Sequence, residues 1–173
     1  MSCVRRTRMK RLIYEISNGR KLIILDNIVE KLNRYRQTKR GQNEAGGLLI
    51  GRHLLENEHL VVDQITEPSW WDKRFRTSFY RSDNHNKILH KTWNASGKTQ
   101  TLIGSWHSHP EPVPTPSKVD WEDWKRTISH GDFAGESLFF LIVGNVKVRV
   151  WGGNRSAQFI ELVESANDEG SSL

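Results

Sequence analysis

A chain of 173 residues, 36% hydrophobic and 27% charged, is long enough for one domain with its own core and too short for two full ones. No apolar run approaches the roughly 20 residues of a membrane-spanning helix, no signal-peptide core follows the basic start, and the lone Cys3 excludes an intramolecular disulfide, so a reducing cytoplasm is the expected setting. The formal charge of +6 sits mostly in residues 1–11, where Arg5, Arg6, Arg8, Lys10 and Arg11 face no acid; the other basic residues nearly balance the 20 acidic ones, which argues against a nucleic-acid-binding face.

This basic leader is expected to be disordered in part, with Met9 as an alternative first residue. Leu12–Ile16 and Lys21–Leu25 read as strands joined by an Asn18-Gly19 hairpin turn. Asp26 is a candidate N-cap for a helix to about Arg40, with Ile28, Val29, Leu32 and Tyr35 on one buried stripe. Gly41 ends it, and Gln42–Gly47 leads into an apolar strand, Leu48–Gly51. Leu60–Thr66 reads as another strand, Pro68–Arg74 as a loop carrying Trp70-Trp71, and Arg76–Arg81 as a short strand. Asp83 opens a second helix to about Ala95, with Ile88, Leu89, Thr92 and Trp93 inward. Thr101–Trp106 is a buried strand running into His107-Ser108-His109-Pro110. The prolines at 112, 114 and 116 hold a stiff, extended loop. Ser117 starts a third helix to about Ser129, followed by a glycine-bearing loop, 131–137, that could border a substrate groove. Leu138–Val143, Val146–Trp151 and Gln158–Val163 read as closing strands, the first two joined at Gly144-Asn145. The polar tail from Glu164 is expected to be disordered. One α+β domain over residues 12–163 is the reading, with a mostly antiparallel curved β-sheet flanked by about three helices.

The chemistry concentrates after the His107 strand. Two histidines one residue apart can point to the same side of an extended backbone. With a carboxylate they make three zinc ligands and leave a fourth tetrahedral position open, as in catalytic rather than structural zinc sites. Asp120 is that carboxylate. Such a zinc ion would bring its water's pKa toward roughly 7. Ser117, one helical turn away, is a candidate oxyanion donor. Glu44 is the candidate general base, beside Ala45, Gly46 and Gly47, whose small size lets another backbone approach closely. Each residue also has a plainer reading. The histidines could be ordinary strand residues, Ser117-x-x-Asp120 is close to a capping box, and Glu44 could be a solvated charge. His53, His59, His85, His90 and His130 lack partners at metal spacing and suit surface or core roles. Trp121 and Trp124 suit the core. Trp70 and Trp71, two large aromatics in a polar loop, are candidates for gripping substrate.

His107-x-His109-Pro110, then Ser117-x-x-Asp120, with Glu44 upstream in Glu44-Ala45-Gly46-Gly47-Leu48-Leu49-Ile50-Gly51, resembles the JAMM (MPN-plus) zinc metalloprotease motif. The likeness runs from about residue 12 to residue 163. Ser105-Trp106 departs slightly from the Trp-aromatic pair often found before the first histidine, and the ligands are untouched. The resemblance implies one zinc ion held by His107, His109 and Asp120, Glu44 as general acid/base and Ser117 as oxyanion stabiliser. It implies cleavage of isopeptide or peptide bonds after the C-terminal residue of a conjugated, ubiquitin-like protein. The short stand-alone form is similar to the JAMM peptidases of bacterial CBASS antiphage operons. That likeness implies as substrate the C-terminal tail of a cGAS-like nucleotidyltransferase, with an E1–E2-like conjugating enzyme as operon partner. A non-catalytic scaffold of the same fold is the alternative; its members typically lack ligands. Nucleic-acid binding through the leader is the weakest reading.

Overall fold

Ser137–Val143 alternates two apolar sets, and the alternation explains the layering. In the computed structural model, which describes residues 10–166, this strand (β8) sends Phe139, Leu141 and Val143 into one cluster and Leu138, Phe140 and Ile142 into another. Successive side chains of a strand point to opposite faces, so a strand apolar at every position must be covered on both. The first cluster lies against helix α1 (Asp26–Asn33), through Ile28, Val29 and Leu32. The second lies under α3 (Lys118–His130), where Trp124 stacks on Phe140 with ring centroids 4.8 Å apart. Trp124 is core, as its spacing predicted, and Trp121 packs beside it at 5.0 Å.

Nine strands form one sheet. In chain order they are β1 (Leu12–Glu15), β2 (Lys21–Ile24), β3 (Gly46–His53), β4 (Leu60–Ile65), β7 (Thr101–Ser108), β8, β9 (Val148–Asn154), β10 (Phe159–Glu161) and β11 (Val163–Glu164). Across the sheet they run β10-β9-β8-β7-β3-β4-β2-β1-β11. Only β2 with β4 and β7 with β8 pair in parallel. The sheet is mostly antiparallel, as expected. A separate hairpin, β5 (Lys73–Phe75) with β6 (Ser78–Tyr80), precedes α2 (Asn84–Ala95). β10 and β11 occupy the two opposite edges although only Leu162 separates them. The sheet therefore curls until its edges meet at Leu162, which is in the core and donates its N–H to Val150 O at 2.9 Å.

Several boundaries differ from expectation. Asn18 and Gly19, with φ of 63° and 72°, make the β1–β2 hairpin turn as foreseen. Helix α1, however, stops at Asn33 rather than near Arg40, and its N-cap is Leu25, not Asp26. Its last turn tightens into i→i−3 bonds, Arg34 N–H to Lys31 O and Tyr35 N–H to Leu32 O. The following chain turns to bury Gln37, and Tyr35 leaves the stripe to pack on Trp106. Lys73 and Arg74, read as the end of a loop, form a strand with Phe75 instead. In α2 the side chains of Ile88, Leu89, Thr92 and Trp93 are only half-buried, and the fully buried one is His85. The expected strand 158–163 divides at Leu162. Pairing continues through Glu164 opposite Tyr14, and Ser165 N–H reaches Ile13 O, past the expected boundary at 163. Residues 1–9 of the leader and 167–173 of the tail lie outside the described residues. Among those described, no helix is long and apolar enough to cross a membrane.

Candidate functional site

Strand register brings the distant site residue in. β3 and β7 run antiparallel with Gly46 opposite His107. Continuing that register past the strand ends puts Ala45 opposite Ser108 and Glu44 opposite His109. The chain does so: Ser108 N–H donates to Ala45 O at 2.8 Å, and Glu44 Oε1 lies 3.7 Å from His109 Nε2. The close approach expected at the glycines is present. A Cβ on Gly47 would stand 2.0 Å from Thr66 O, and one on Gly46 would meet the Phe79 ring at 2.6 Å.

The proline loop delivers the third ligand. It is tied to the β8–β9 turn by Asn145 N–H to Glu111 O (2.7 Å) and by Val146 N–H to Pro112 O (2.9 Å), while Arg149 Nη1 donates to Pro114 O (2.8 Å). At its end Ser117 caps α3 in a true capping box. Asp120 N–H donates to Ser117 Oγ at 3.1 Å, and Ser117 N–H donates to Asp120 Oδ2 at 2.6 Å. The plainer reading of this pair thus holds, and it serves the chemical one: the cap fixes the Asp120 rotamer that faces the histidines.

Three atoms that could hold a metal ion converge. His107 Nε2 and His109 Nε2 are 3.0 Å apart; Asp120 Oδ1 is 3.1 Å from the first and Asp120 Oδ2 is 3.3 Å from the second. Tetrahedral zinc with N and O ligands at about 2.0–2.1 Å sets neighbouring ligand atoms about 3.3 Å apart. The donor set therefore fits zinc in both type and spacing. The electrostatics differ from one residue to the next. Burial lowers the basicity of His107, against the pull of Asp120, which favours the unprotonated ring a metal needs. For His109 burial also opposes charge, but Asp120, Glu44 and Glu111 outweigh it and raise the pKa. Burial alone would lift Asp120, yet the histidines and the Ser117 N–H hold it well below the ordinary carboxylate range. Glu44 goes the other way. Burial raises its carboxyl from 4.5 to about 8, with Asp120 and Glu111 adding to the rise and His109 opposing it.

Two buried polar networks around this cluster have no local sequence signal. In the first, Ser108, between the histidines and wholly buried, donates from Oγ to Gln37 Oε1 (3.1 Å) and accepts from Ala45 N–H (2.9 Å). Gln37 Nε2 then donates to Gln42 O and Arg76 O. This ties the strand of histidines to the backbone bearing Glu44 and to the β5–β6 hairpin. That hairpin docks on the same backbone: Glu44 N–H donates to Phe75 O (2.7 Å) and Arg74 Nε to Glu44 O (2.8 Å). Ser108→Ala leaves the Ala45 N–H and the Gln37 carbonyl buried without their partner, which costs about 2–3 kcal/mol and lets Glu44 shift. Urea denaturation should show the loss, and turnover should fall about tenfold or more; an unchanged midpoint would remove the bracing role.

In the second network, His85 Nε2 donates to Asp72 Oδ2 (2.9 Å) while Nδ1 pairs with Thr66 Oγ1 (2.6 Å), which itself accepts from Leu48 N–H (2.7 Å). Asp72 also accepts from Ser69 N–H and from Ser82 N–H and Oγ. Burial works against its charge, and these bonds still hold its pKa below the ordinary value. His85 thus takes a core role with partners far away in sequence. The network braces the loop on which Trp70 and Trp71 stand 93% and 75% exposed. Trp71 lines a cleft with Lys73, Tyr80, Arg81 and Ser82.

Comparison with known proteins follows the same lines. A family model described as prokaryotic homologs of the JAB domain matches residues 26–159. A CD-NTase/cGAS isopeptidase of Escherichia coli (strain TW11681) is 33% identical over 148 residues, covering 85% of this chain and 90% of that one. One of Pseudomonas aeruginosa (strain BWHPSA011 / Pa011) is 38% identical over 136 residues, covering 78% of each. Among solved structures, the fold is similar to that of a Desulfitobacterium hafniense protein determined in solution, with a TM-score of 0.54 at 21% identity over 80% of this chain and 87% of that one.

Proposed function

The chain belongs to the family of prokaryotic homologs of the JAB domain, and on that premise we propose that it is a zinc isopeptidase. It severs the bond between the C-terminus of a cGAS-like nucleotidyltransferase and the protein it is joined to. The observation that carries this reading is the convergence of His107, His109 and Asp120, with Glu44 3.7 Å from one ligand. The names of the curated relatives support the substrate class. An E1–E2-like conjugating enzyme would make the bond that this one breaks, in the cytoplasm, as part of CBASS antiphage defence.

Zinc, when bound, would act as a Lewis acid and bring a water's pKa toward roughly 7. His107 Nε2, His109 Nε2 and one oxygen of Asp120 would hold it and leave one position open. Glu44, buried beside His109, would accept the proton of the attacking water at a carboxylate oxygen and pass it to the leaving amine. Ser117 Oγ accepts the Asp120 N–H, so its own hydroxyl hydrogen is left to donate to the scissile carbonyl oxygen. Trp70 and Trp71 offer exposed aromatic area to grip the substrate. The completeness of this set favours an enzyme over a scaffold.

A test is cleavage of a nucleotidyltransferase conjugated through its C-terminus, followed by intact-mass spectrometry. Removing the metal with a chelator should abolish cleavage, and about one equivalent of zinc per chain should restore it. Undiminished cleavage by verified metal-free protein would sink the proposal.

A further inference from the structure

Arg81 carries a charge with no partner of its own among the described residues. It directly follows β6, is half-buried, and makes no hydrogen bond or ion pair among the described residues. The two acids whose fields reach it, Asp123 and Asp72, are engaged elsewhere. Asp72 already accepts from Ser69, Ser82 and His85, and Asp123 pairs with Arg126 at 3.5 Å. A guanidinium offers five donors in a rigid fork suited to a carboxylate. Half-buried and unpaired, this fork is left available to a carboxylate from outside the chain.

In front of Arg81 is an open cleft of about 400 Å³ lined by Trp71, Lys73, Tyr80 and Ser82. The lining has two cations and no acid. Its aromatic walls, Trp71 and Tyr80, are 75% and 53% exposed, which is costly apolar surface for a free protein to show. The cleft also adjoins the ligand cluster. The field of Arg81 reaches His107; Asp123 lies one turn beyond Asp120 on α3; and the hairpin forming the wall is hydrogen-bonded to the Glu44 backbone. A polypeptide laid toward Glu44 and the histidines passes beside it.

We propose that this cleft is a specificity subsite that takes the carboxylate of an acidic side chain of the substrate, a few residues from the scissile bond. The carboxylate meets the Arg81 fork, Lys73 closes over it from the rim, and the methylenes and adjoining backbone lie between Trp71 and Tyr80. This rests on the isopeptidase reading for the identity of the bound chain, but binding in the cleft needs no bond cleavage and is measured separately.

The probes are two N-acetylated Gly-Ser peptide amides, identical except for one central Glu or Gln, titrated into the zinc-loaded full chain and followed by tryptophan indole NMR. Wild type should bind the Glu peptide about tenfold more tightly and shift the Trp71 indole signal. Arg81→Gln should bind both peptides equally, Arg81→Lys should keep part of the preference, and Lys73→Gln, a change on the exposed rim, should weaken it. Equal affinities in wild type overturn the proposal, as does a preference that survives Arg81→Gln, or the absence of binding by either peptide at millimolar concentration. If Arg81→Gln does not fold, as circular dichroism would show, Lys73→Gln and Trp71→Ala decide: preference and affinity unchanged in both overturn the subsite. Conjugate cleavage without any acid preference would remove the subsite and leave the isopeptidase standing; acid-selective binding without cleavage would do the reverse.

Discussion

Glu44→Gln is expected to lower conjugate cleavage roughly 10²- to 10⁴-fold and, at the same time, to stabilise the metal-free protein at alkaline pH. The first effect follows from the proposed role of Glu44, which is to carry the proton between water and leaving amine. The second follows from burial. The folded carboxyl has a pKa of about 8 against an ordinary 4.5, so the fold binds this proton more tightly than the unfolded chain does. Its contribution is complete below about pH 4.5 and is lost as the pH rises through about 8. A glutamine has the same shape and nothing to ionise. Chelated wild type and variant should therefore melt together near pH 4.5, and the variant should melt higher at about pH 9, by roughly 2–4 °C for each kcal/mol. Equal melting at both pH values would show that Glu44 is not buried as described. Cleavage within a few-fold of wild type, at matched zinc content, would remove it from the chemistry. A residue that destabilises its own fold and is indispensable to turnover is the pattern expected of an active site.

Among the described glycines, Gly104→Ala should add the most damaging methyl. Gly104 lies on β7 opposite Phe139 of β8 in the parallel ladder that supports the histidine strand. A Cβ there would come within 1.7 Å of Phe139 O and 2.6 Å of its carbonyl carbon. Both neighbours are backbone, so no side chain can rotate away, and the strands must part. A loss above about 4 kcal/mol is expected, seen as a fall in melting temperature of at least about 8 °C or as failure to recover folded protein. Gly97→Ala is the control. It has nothing within 4 Å but a φ of +64°, and so should cost only about 1 kcal/mol of backbone strain. Similar losses for the two variants would mean that the β7–β8 approach is not what makes Gly104 matter.

The contrast between the two predictions mirrors what could be read from sequence. His107, His109, Ser117 and Asp120 lie within 14 residues and are linked by a strand end, a proline loop and a helix cap. All three devices act locally, so spacing alone could align them. Glu44 is 65 positions from His109. Its proximity depends on the β3–β7 register, which the small residues at 45–47 only hinted at. The Gln37–Ser108 and Asp72–His85–Thr66 networks were not legible. Their members are ordinary polar residues whose partners are set by tertiary packing, and the early end of α1 that frees Gln37 overrode a helical apolar stripe continuing to Tyr35. The strands of the sheet were legible because apolar runs and alternation are local properties. The division of the last strand at Leu162 was not, since it depends on where the opposite edge of the sheet happens to be.

That division has a bearing on how the protein is made. Translation reaches Asp120 while β8 to β11 do not yet exist. At that moment His107, His109 and Asp120 have all been synthesised, but β7 lacks its neighbour on one side. The first hairpin, β1–β2, can pair at once, whereas β1 waits for residues 163 and 164 before its outer edge is covered. Contacts so distant in sequence form late and slow folding. A growing chain therefore carries an unfinished sheet with exposed strand edges until residues 163 and 164 have emerged, and the His107, His109 and Asp120 cluster settles only after β8 has been made.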